Sequence, residues 1–307
     1  MRIVLIGQAA FAERVLLGLL SAGHELAAVY APPPSAGKAD PLALAAERAA
    51  LPLHTPSSYK GPAIAAEVQA LRADLGLLAY VTKIIPPAVI DAPRLGTLCF
   101  HPSLLPRYRG GSALNWQIIR GEPRGGFTVF WTDPGIDTGP ILLQREVAIG
   151  PDDTTGSLYF SKIFEPGVAG MLESVELVAN GRAPRIPQDE SLASYDPLCT
   201  DAHAAVDWSR TAAEVYNLIR GCDPQPGAFT TWRGEKLRLY EARREDRPGA
   251  TPGTVLAVDE KGLVVAAGTA AEAGAIRIGR ARGAGAKLNA GELAASLGLE
   301  SGARLGG

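Results

Sequence analysis

The first half of the chain repeats one unit: a short apolar run, a turn, then apolar residues at helical spacing. Arg2–Ile6 is such a run and stops at Gly7. Phe11, Val15, Leu16, Leu19 and Leu20 follow with a helical period, and Gly23 ends that helix. Leu26–Tyr30 is a second apolar run, and Pro32, Pro33, Pro34 and Gly37 mark a loop after it. Asp40 is placed to cap a helix with Pro41 in its first position. Gly61-Pro62 opens another helix, to about Arg72, and Leu75–Val81 and Thr97–His101 read as strands. Ser112 is positioned to cap a helix to Arg120. Gly126–Thr132 and Ile141–Ile149 are β-rich, and a long helix starts at Thr154 or Thr155 and ends near Asn180-Gly181. Alternating strands and helices predict an α/β, Rossmann-like, mostly parallel sheet with helices on both faces. Ligands of such sheets bind beyond the carboxyl ends of the strands.

The second half reads differently. Residues 182–206 lose periodicity and carry Pro184, Pro187 and Pro197. Thr211-x-x-Glu214 is a capping box, and Asn289-x-x-Glu292 repeats the pattern near the end. Between them lie short strands at Ala228–Trp232, Lys236–Ala242, Thr254–Val258, Gly262–Ala267 and Ala275–Arg280. Several short strands with one or two helices predict a small β-barrel of the oligonucleotide/oligosaccharide-binding (OB) type. The expected organisation is a catalytic domain over 1–185, a linker over 186–205 and an OB-like domain over 206–307.

Composition narrows the function. The 307 residues hold 30 Lys+Arg against 32 Asp+Glu, a net charge of −2. That balance disfavours a broad electrostatic grip on nucleic acid. No run reaches about 18 apolar residues, so no membrane partner is expected. The start is too short for a signal peptide, and a cytoplasmic protein is expected. Cys99, Cys199 and Cys222 are widely spaced without C-x-x-C, and the four histidines are scattered, so neither a disulfide framework nor a metal site is expected. After Gly7 no G-x-G-x-x-G follows, so NAD is not expected either.

Two stretches carry chemistry. In Phe100-His101-Pro102-Ser103-Leu104-Leu105-Pro106-Arg107-Tyr108-Arg109-Gly110-Gly111, a strand ends on His101 and Pro102 turns the chain out of the sheet. The bland alternative for His101 is a solvated loop histidine. In Asp133-Pro134-Gly135-Ile136-Asp137-Thr138-Gly139-Pro140, two carboxylates sit among turn formers. Taken alone, that loop reads as turn chemistry. Beside His101, a carboxylate would hold the imidazole tautomer and raise its basicity. Arg107 and Arg109 have the fork geometry to bind an anionic tail, with a solvated loop as the alternative.

Together these two stretches resemble the signatures of the folate-dependent formyltransferase family. The likeness extends over nearly the whole chain, from Ile6-Gly7-Gln8 to Pro226-Gly227-Ala228. Gly37-Lys38-Ala39-Asp40-Pro41-Leu42, Ser112-Ala113-Leu114-Asn115-Trp116 and Gly125-Gly126-Phe127 look most like the amino-terminal hydrolase domain of 10-formyltetrahydrofolate dehydrogenase. The resemblance implies the formyltransferase fold, with His101 and Asp137 as catalytic residues and 10-formyltetrahydrofolate as donor. It also implies a pterin bound against Leu78, Ala79, Tyr80, Val81 and Ile84 and against Asp133, Gly135, Ile136 and Asp137. Ser103, Arg107 and Arg109 stand where an acceptor would be met. One position departs from the family. Cys99 stands two residues before the histidine, where most members carry an asparagine whose amide would polarise the formyl oxygen. A thiol is a weaker donor. The hydrolase branch also lacks that asparagine. Cys99 is kept as a catalytic candidate, with packing as its alternative reading.

The acceptor expected is therefore an amine of a small molecule. Alternatives are water (a 10-formyltetrahydrofolate hydrolase), an aminoacylated tRNA (methionyl-tRNA formyltransferase), and a non-catalytic folate- or RNA-binding module. In the tRNA branch a basic insertion follows the second strand, whereas Ala31–Asp40 holds Lys38 as its one base. Residues 200–307 carry 14 Lys/Arg and 13 Asp/Glu, which is not a basic footprint.

Overall fold

A computed structural model describes residues 1–247, 250–269 and 273–306. The chain forms two compact units. Unit 1 holds Met1–Gly111, Gly126–Val147 and Ser161–Tyr195, and unit 2 holds Ser112–Gly125, Ala148–Phe160 and Asp196–Gly307. The elements run β1 (Arg2–Gly7), α1 (Ala9–Ser21), β2 (Glu25–Tyr30), α2 (Pro41–Arg48), β3 (Leu53–His54), α3 (Pro62–Ala70), β4 (Leu75–Ala79), α4 (Pro87–Ile90) and β5 (Thr97–His101). Then come β6 (Arg109–Gly110), α5 (Ala113–Ile119), β7 (Arg124–Trp131), β8 (Ile141–Ala148), α6 (Thr155–Leu158), α7 (Phe164–Ala179) and β9 (Tyr195–Asp196). The rest is α8 (Ala212–Gly221), β10 (Phe229–Trp232), β11 (Glu235–Glu245), β12 (Val255–Asp259), β13 (Gly262–Ala267), β14 (Gly274–Arg282), β15 (Leu288–Asn289) and α9 (Ala290–Ser296).

Unit 1 is built on a seven-stranded sheet in the order β3-β2-β1-β4-β5-β7-β8. The first five strands are mutually parallel, and β7 joins β5 antiparallel. The Rossmann-like expectation therefore holds, with a reversal of strand order at β1/β4. Successive residues of β5 face opposite sides. Phe100 turns to one face, where its ring lies 4.4 Å from Phe11 of α1 and 5.7 Å from Phe127 of β7. Helix α7 closes on this aromatic layer through Gly167 and Gly170, where a Cβ would lie 2.7 Å from Phe100 and 2.6 Å from Phe127. Cys99 turns to the other face, against a core that includes Val4, Ile6, Tyr30, Leu78, Val89 and Ile90. Asp40 does more than cap α2 through the Leu42 N–H at 2.9 Å. Its two oxygens also accept from the Ala9 N–H, each at 3.0 Å, at the start of α1.

Three local expectations change. The strand expected over Leu75–Val81 ends at Ala79, because Tyr80 takes a left-handed φ of 60° and leaves the sheet. Ser112 precedes its helix but gives it no side-chain cap; its Oγ accepts from the Cys199 N–H at 3.0 Å instead. The long helix opens on a Thr154–Ser157 capping box but is broken by a π turn over Tyr159–Ile163 before α7 begins.

Unit 2 carries an antiparallel sheet in the order β10-β11-β14-β13-β12, with β15 on β14. The apolar faces of its strands and of α8 and α9 form one core that includes Trp208, Ile219, Leu239, Val265, Ile278 and Ala294. The Asn115 amide on α5 donates to the carbonyls of Gly221 at 2.7 Å and Gln225 at 2.8 Å. This ties the start of the unit to the end of α8.

Candidate active site

His101 is the last residue of β5 and is buried. The loop behind it curls back so that Nε2 lies 2.7 Å from the Tyr108 carbonyl oxygen. A carbonyl only accepts, so Nε2 carries its hydrogen. Nδ1 is then the nitrogen left for proton transfer, and it lies 3.4 Å from Asp137 Oδ2. The same Oδ2 accepts from the Gly110 N–H at 2.8 Å. Asp137 adopts a φ of 55°, a conformation that Asp tolerates better than most residues. The β7–β8 turn is ordered from within by Asp133, whose Oδ1 accepts from Gly135 N at 3.0 Å and from Thr138 Oγ1 at 2.6 Å.

Cys99 is half-buried and projects on the same side of β5 as His101. Burial, and then the Asp137 carboxylate, push its thiol well above the usual range. The sulfur is thus held as a thiol, and its S–H faces the Phe100 carbonyl at 3.6 Å. That state suits a weak donor and not a thiolate nucleophile.

The other candidate residues separate into loop scaffolding and exposed groups. Ser103 is fully buried, and its hydroxyl donates to the Arg107 carbonyl at 2.7 Å. Arg107 is exposed, with its guanidinium 5.4 Å from the Tyr108 ring centroid. Arg109 is buried and bidentate on Glu190 at 2.9 and 2.6 Å. That pairing raises the Arg109 pKa and lowers that of Glu190. Arg109 also donates to Gln188 Oε1 at 3.2 and 2.7 Å. Leu78 and Ala79 are buried in β4, with Leu78 in register with Cys99. Val81 is half-buried, whereas Tyr80, Ile84 and Ile136 are exposed, Ile84 by 77%.

The structure thus brings Cys99, His101 and Asp137 together. It also adds partners that the sequence reading passed over: the Tyr108 carbonyl, the Gly110 N–H, Gln188, Glu190 and Ser194. Ser194 accepts from the Tyr108 N–H through Oγ at 2.8 Å and from the Arg109 N–H through its carbonyl at 2.9 Å. Gln188, Glu190 and Ser194 lie in a stretch without periodicity. A dense run of hydrogen-bonding side chains was its one signal. Among the described residues, no three His, Cys, Asp or Glu side chains gather as metal ligands, and no helix is long and apolar enough to cross a membrane.

A doubly wound sheet with a buried histidine facing a half-buried carboxylate at the end of a parallel strand defines an α/β protein that holds the groups proton transfer needs. Comparison with known proteins sharpens that class. Residues 1–175 match the formyl transferase family and residues 199–297 match the formyl transferase C-terminal domain. The chain belongs to the formyl transferase family. It is 41% identical over 276 residues to cytosolic 10-formyltetrahydrofolate dehydrogenase of Mus musculus, covering 87% of this chain and 31% of that protein. It is 38% identical over 277 residues to methionyl-tRNA formyltransferase of Moorella thermoacetica, covering 88% of each. The chain therefore spans about a third of the length of the dehydrogenases it matches. Among solved structures, HypX from Aquifex aeolicus in complex with tetrahydrofolic acid shares the fold, with a TM-score of 0.69 at 24% identity over 96% of this chain and 47% of that one.

Proposed function

We propose that this protein takes the formyl group of 10-formyltetrahydrofolate and passes it to an amine of a small acceptor. The observation that carries the reading is the His101–Asp137 pair, 3.4 Å apart, in a member of this family. The amine nitrogen attacks the formyl carbon, and the carbonyl oxygen takes up the electron pair. The C–N bond to the acceptor forms while the proton leaving the amine passes to the His101–Asp137 pair. Collapse of the oxyanion breaks the bond to folate N10, which receives that proton. The products are the N-formyl acceptor and tetrahydrofolate. His101 Nδ1 and Asp137 Oδ2 move the proton, and the Tyr108 carbonyl fixes the ring that does so.

In this reading the pterin lies against Leu78, Ala79, Tyr80, Val81 and Ile84 and against Asp133, Gly135, Ile136 and Asp137. The exposed apolar side chains of Ile84 and Ile136 support it as walls for a flat ring. Ser103 and Arg109 shape the loop, and Arg107 faces outward for an anionic group. No metal or nicotinamide is called on. Residues 1–185 serve the folate and the chemistry, and 206–307 serve the acceptor or assembly. The first residues of the 186–205 joint belong to the site. Three free cysteines fit a reducing compartment, the cytoplasm. The balanced charge of 200–307 supports a small acceptor over tRNA.

Hydrolysis is the second reading, and Cys99 is the observation that favours it. The amino-terminal hydrolase domain that the chain resembles also lacks an asparagine at this position, so Cys99 aligns the site with the branch that passes the formyl group to water. The test is tetrahydrofolate release from 10-formyltetrahydrofolate with and without a panel of amines. Release that requires an amine supports transfer, and full-rate release without one makes the protein a hydrolase. Tight folate binding with no release under either condition sinks both and leaves a binding module.

A further inference from the structure

We infer that Gln188 is a positioning residue that sets Asp137 for proton transfer; the inference rests on the function proposed above. Its amide nitrogen donates to two main-chain carbonyls of the β7–β8 turn, Asp137 at 2.8 Å and Gly139 at 2.7 Å. Its amide oxygen accepts from Arg109 Nε at 3.2 Å and Nη2 at 2.7 Å. A guanidinium only donates and a carbonyl only accepts, so the amide has one orientation that satisfies all four contacts. Glu190 completes the arrangement by fixing Arg109 bidentately.

The clamp acts where the backbone needs holding. Asp137 sits at a φ of 55°, and such conformations persist when their surroundings over-determine them. Gly139, two residues on, has no room for a side chain, since a Cβ there would run into the Trp131 carbonyl. Neighbouring residues of the His101 loop grip the turn at two points. Gly110 binds the Asp137 carboxylate directly, and Arg109 orients the amide that binds the Asp137 main chain. One loop therefore fixes both the His101 ring, through Tyr108, and the carboxylate facing it. With the Gln188 donor removed, the turn relaxes and Oδ2 leaves its place beside Nδ1. A misplacement on the order of 1 Å costs up to about 100-fold in rate.

Gln188→Glu separates this role from a structural one. It keeps acceptor oxygens for Arg109 and lacks the N–H groups for the two carbonyls. Gln188→Asn is the second variant, a neutral amide one carbon too short. Both are measured with the native protein, Asp137→Asn, and each combined with Asp137→Asn, following tetrahydrofolate release and thermal unfolding. Gln188→Glu and Gln188→Asn are expected to lower kcat about 10–100-fold. In the Asp137→Asn background the same changes are expected to cost less than about threefold, because the group they position is already disabled. A native kcat in both variants would overturn the inference, and so would a full cost that persists in the Asp137→Asn background. If the native protein releases no tetrahydrofolate, the proposed function fails and takes this inference with it. If it does, and the variants match it, the clamp alone fails.

Discussion

The imidazole of His101 is bound at Nε2 by the Tyr108 carbonyl at 2.7 Å, which leaves Nδ1 turned to Asp137. The loop that leaves β5 thus returns to fix the ring at its start. His101→Ala removes the proposed base and is expected to lower kcat about 100- to 10,000-fold. His101→Gln can place an amide N–H on the Tyr108 carbonyl but offers no titratable nitrogen, and it is expected to lose as much. Asp137→Asn keeps the shape and removes the charge, with a smaller expected loss. Tetrahydrofolate release under saturating donor measures all three. A His101→Ala enzyme at the native rate would sink the mechanism.

The placement of His101 and Asp137 was legible in the sequence for a physical reason, and their pairing was implied by the family resemblance. His101 stands where a strand stops and a proline turns the chain away, and that pattern marks the end of a parallel strand whatever the rest does. Asp137 lies in a dense turn signal that local patterning already places between two strands. The Gln188–Arg109–Glu190 arrangement was not legible. Its members are 79 and 81 positions apart in sequence, and no periodicity links them. Arg109 showed its charge but not its burial, so an outward anion-binding role looked as reasonable as the buried one it has. The same limit explains Ser112: a serine before a helix reads as a cap, whereas its hydroxyl is taken by Cys199, 87 residues away.

In the proposed reaction, Cys99 stands where the formyl oxygen would be stabilised. An asparagine there supplies an N–H donor, and one such donor is worth about 2.7–4 kcal/mol of transition-state stabilisation where it is well placed. Cys99→Asn is expected to raise the rate of tetrahydrofolate release, with an amine and without one, because the donor acts on the same oxyanion in either case. Release at saturating donor checks it. The thiol gives a second readout. Burial and Asp137 raise its pKa, so the protonated form persists as pH climbs past the usual thiol range. Iodoacetamide labelling of Cys99 is therefore expected to set in at higher pH than that of a free thiol such as glutathione under the same conditions.

The start of α8 predicts an acid limb of stability. Thr211 Oγ1 accepts from the Glu214 N–H at 3.1 Å, and Glu214 Oε2 accepts from the Thr211 N–H at 3.1 Å. Arg210 first, then Thr211, hold the Glu214 carboxyl down to about 2. A lowered folded pKa means stability that is present above the unfolded value, near 4.3, and lost as pH falls toward about 2. Glu214→Gln is expected to flatten that part of the curve by lowering stability at pH 5 and 7 toward its acid value, a small loss because the ion pair with Arg210 is largely solvated. Thr211→Ala is expected to cost about 1 kcal/mol at neutral pH by removing the cap. Urea unfolding at pH 3, 5 and 7 separates the two.

Two helical glycines of unit 1 are expected to respond to alanine with opposite signs. Alanine in a helix interior is worth about 1 kcal/mol over glycine, so the neighbours decide the outcome. At Gly170 the new Cβ meets Phe127 at 2.6 and 3.0 Å. Phe127 is fully buried and packed on Phe100, which is itself packed on Phe11, so its ring has nowhere to retreat. Overpacking of this kind costs about 1–3 kcal/mol, and Gly170→Ala is expected to lower Tm. At Gly18 of α1 the new Cβ meets the terminal methyl groups of Leu172, a partly exposed side chain that can change rotamer. There the helical gain is expected to win, so that Gly18→Ala holds or raises Tm. Thermal unfolding of the two variants side by side tests the packing of α7 on the sheet, and a Gly170→Ala protein as stable as Gly18→Ala would show that the aromatic layer yields.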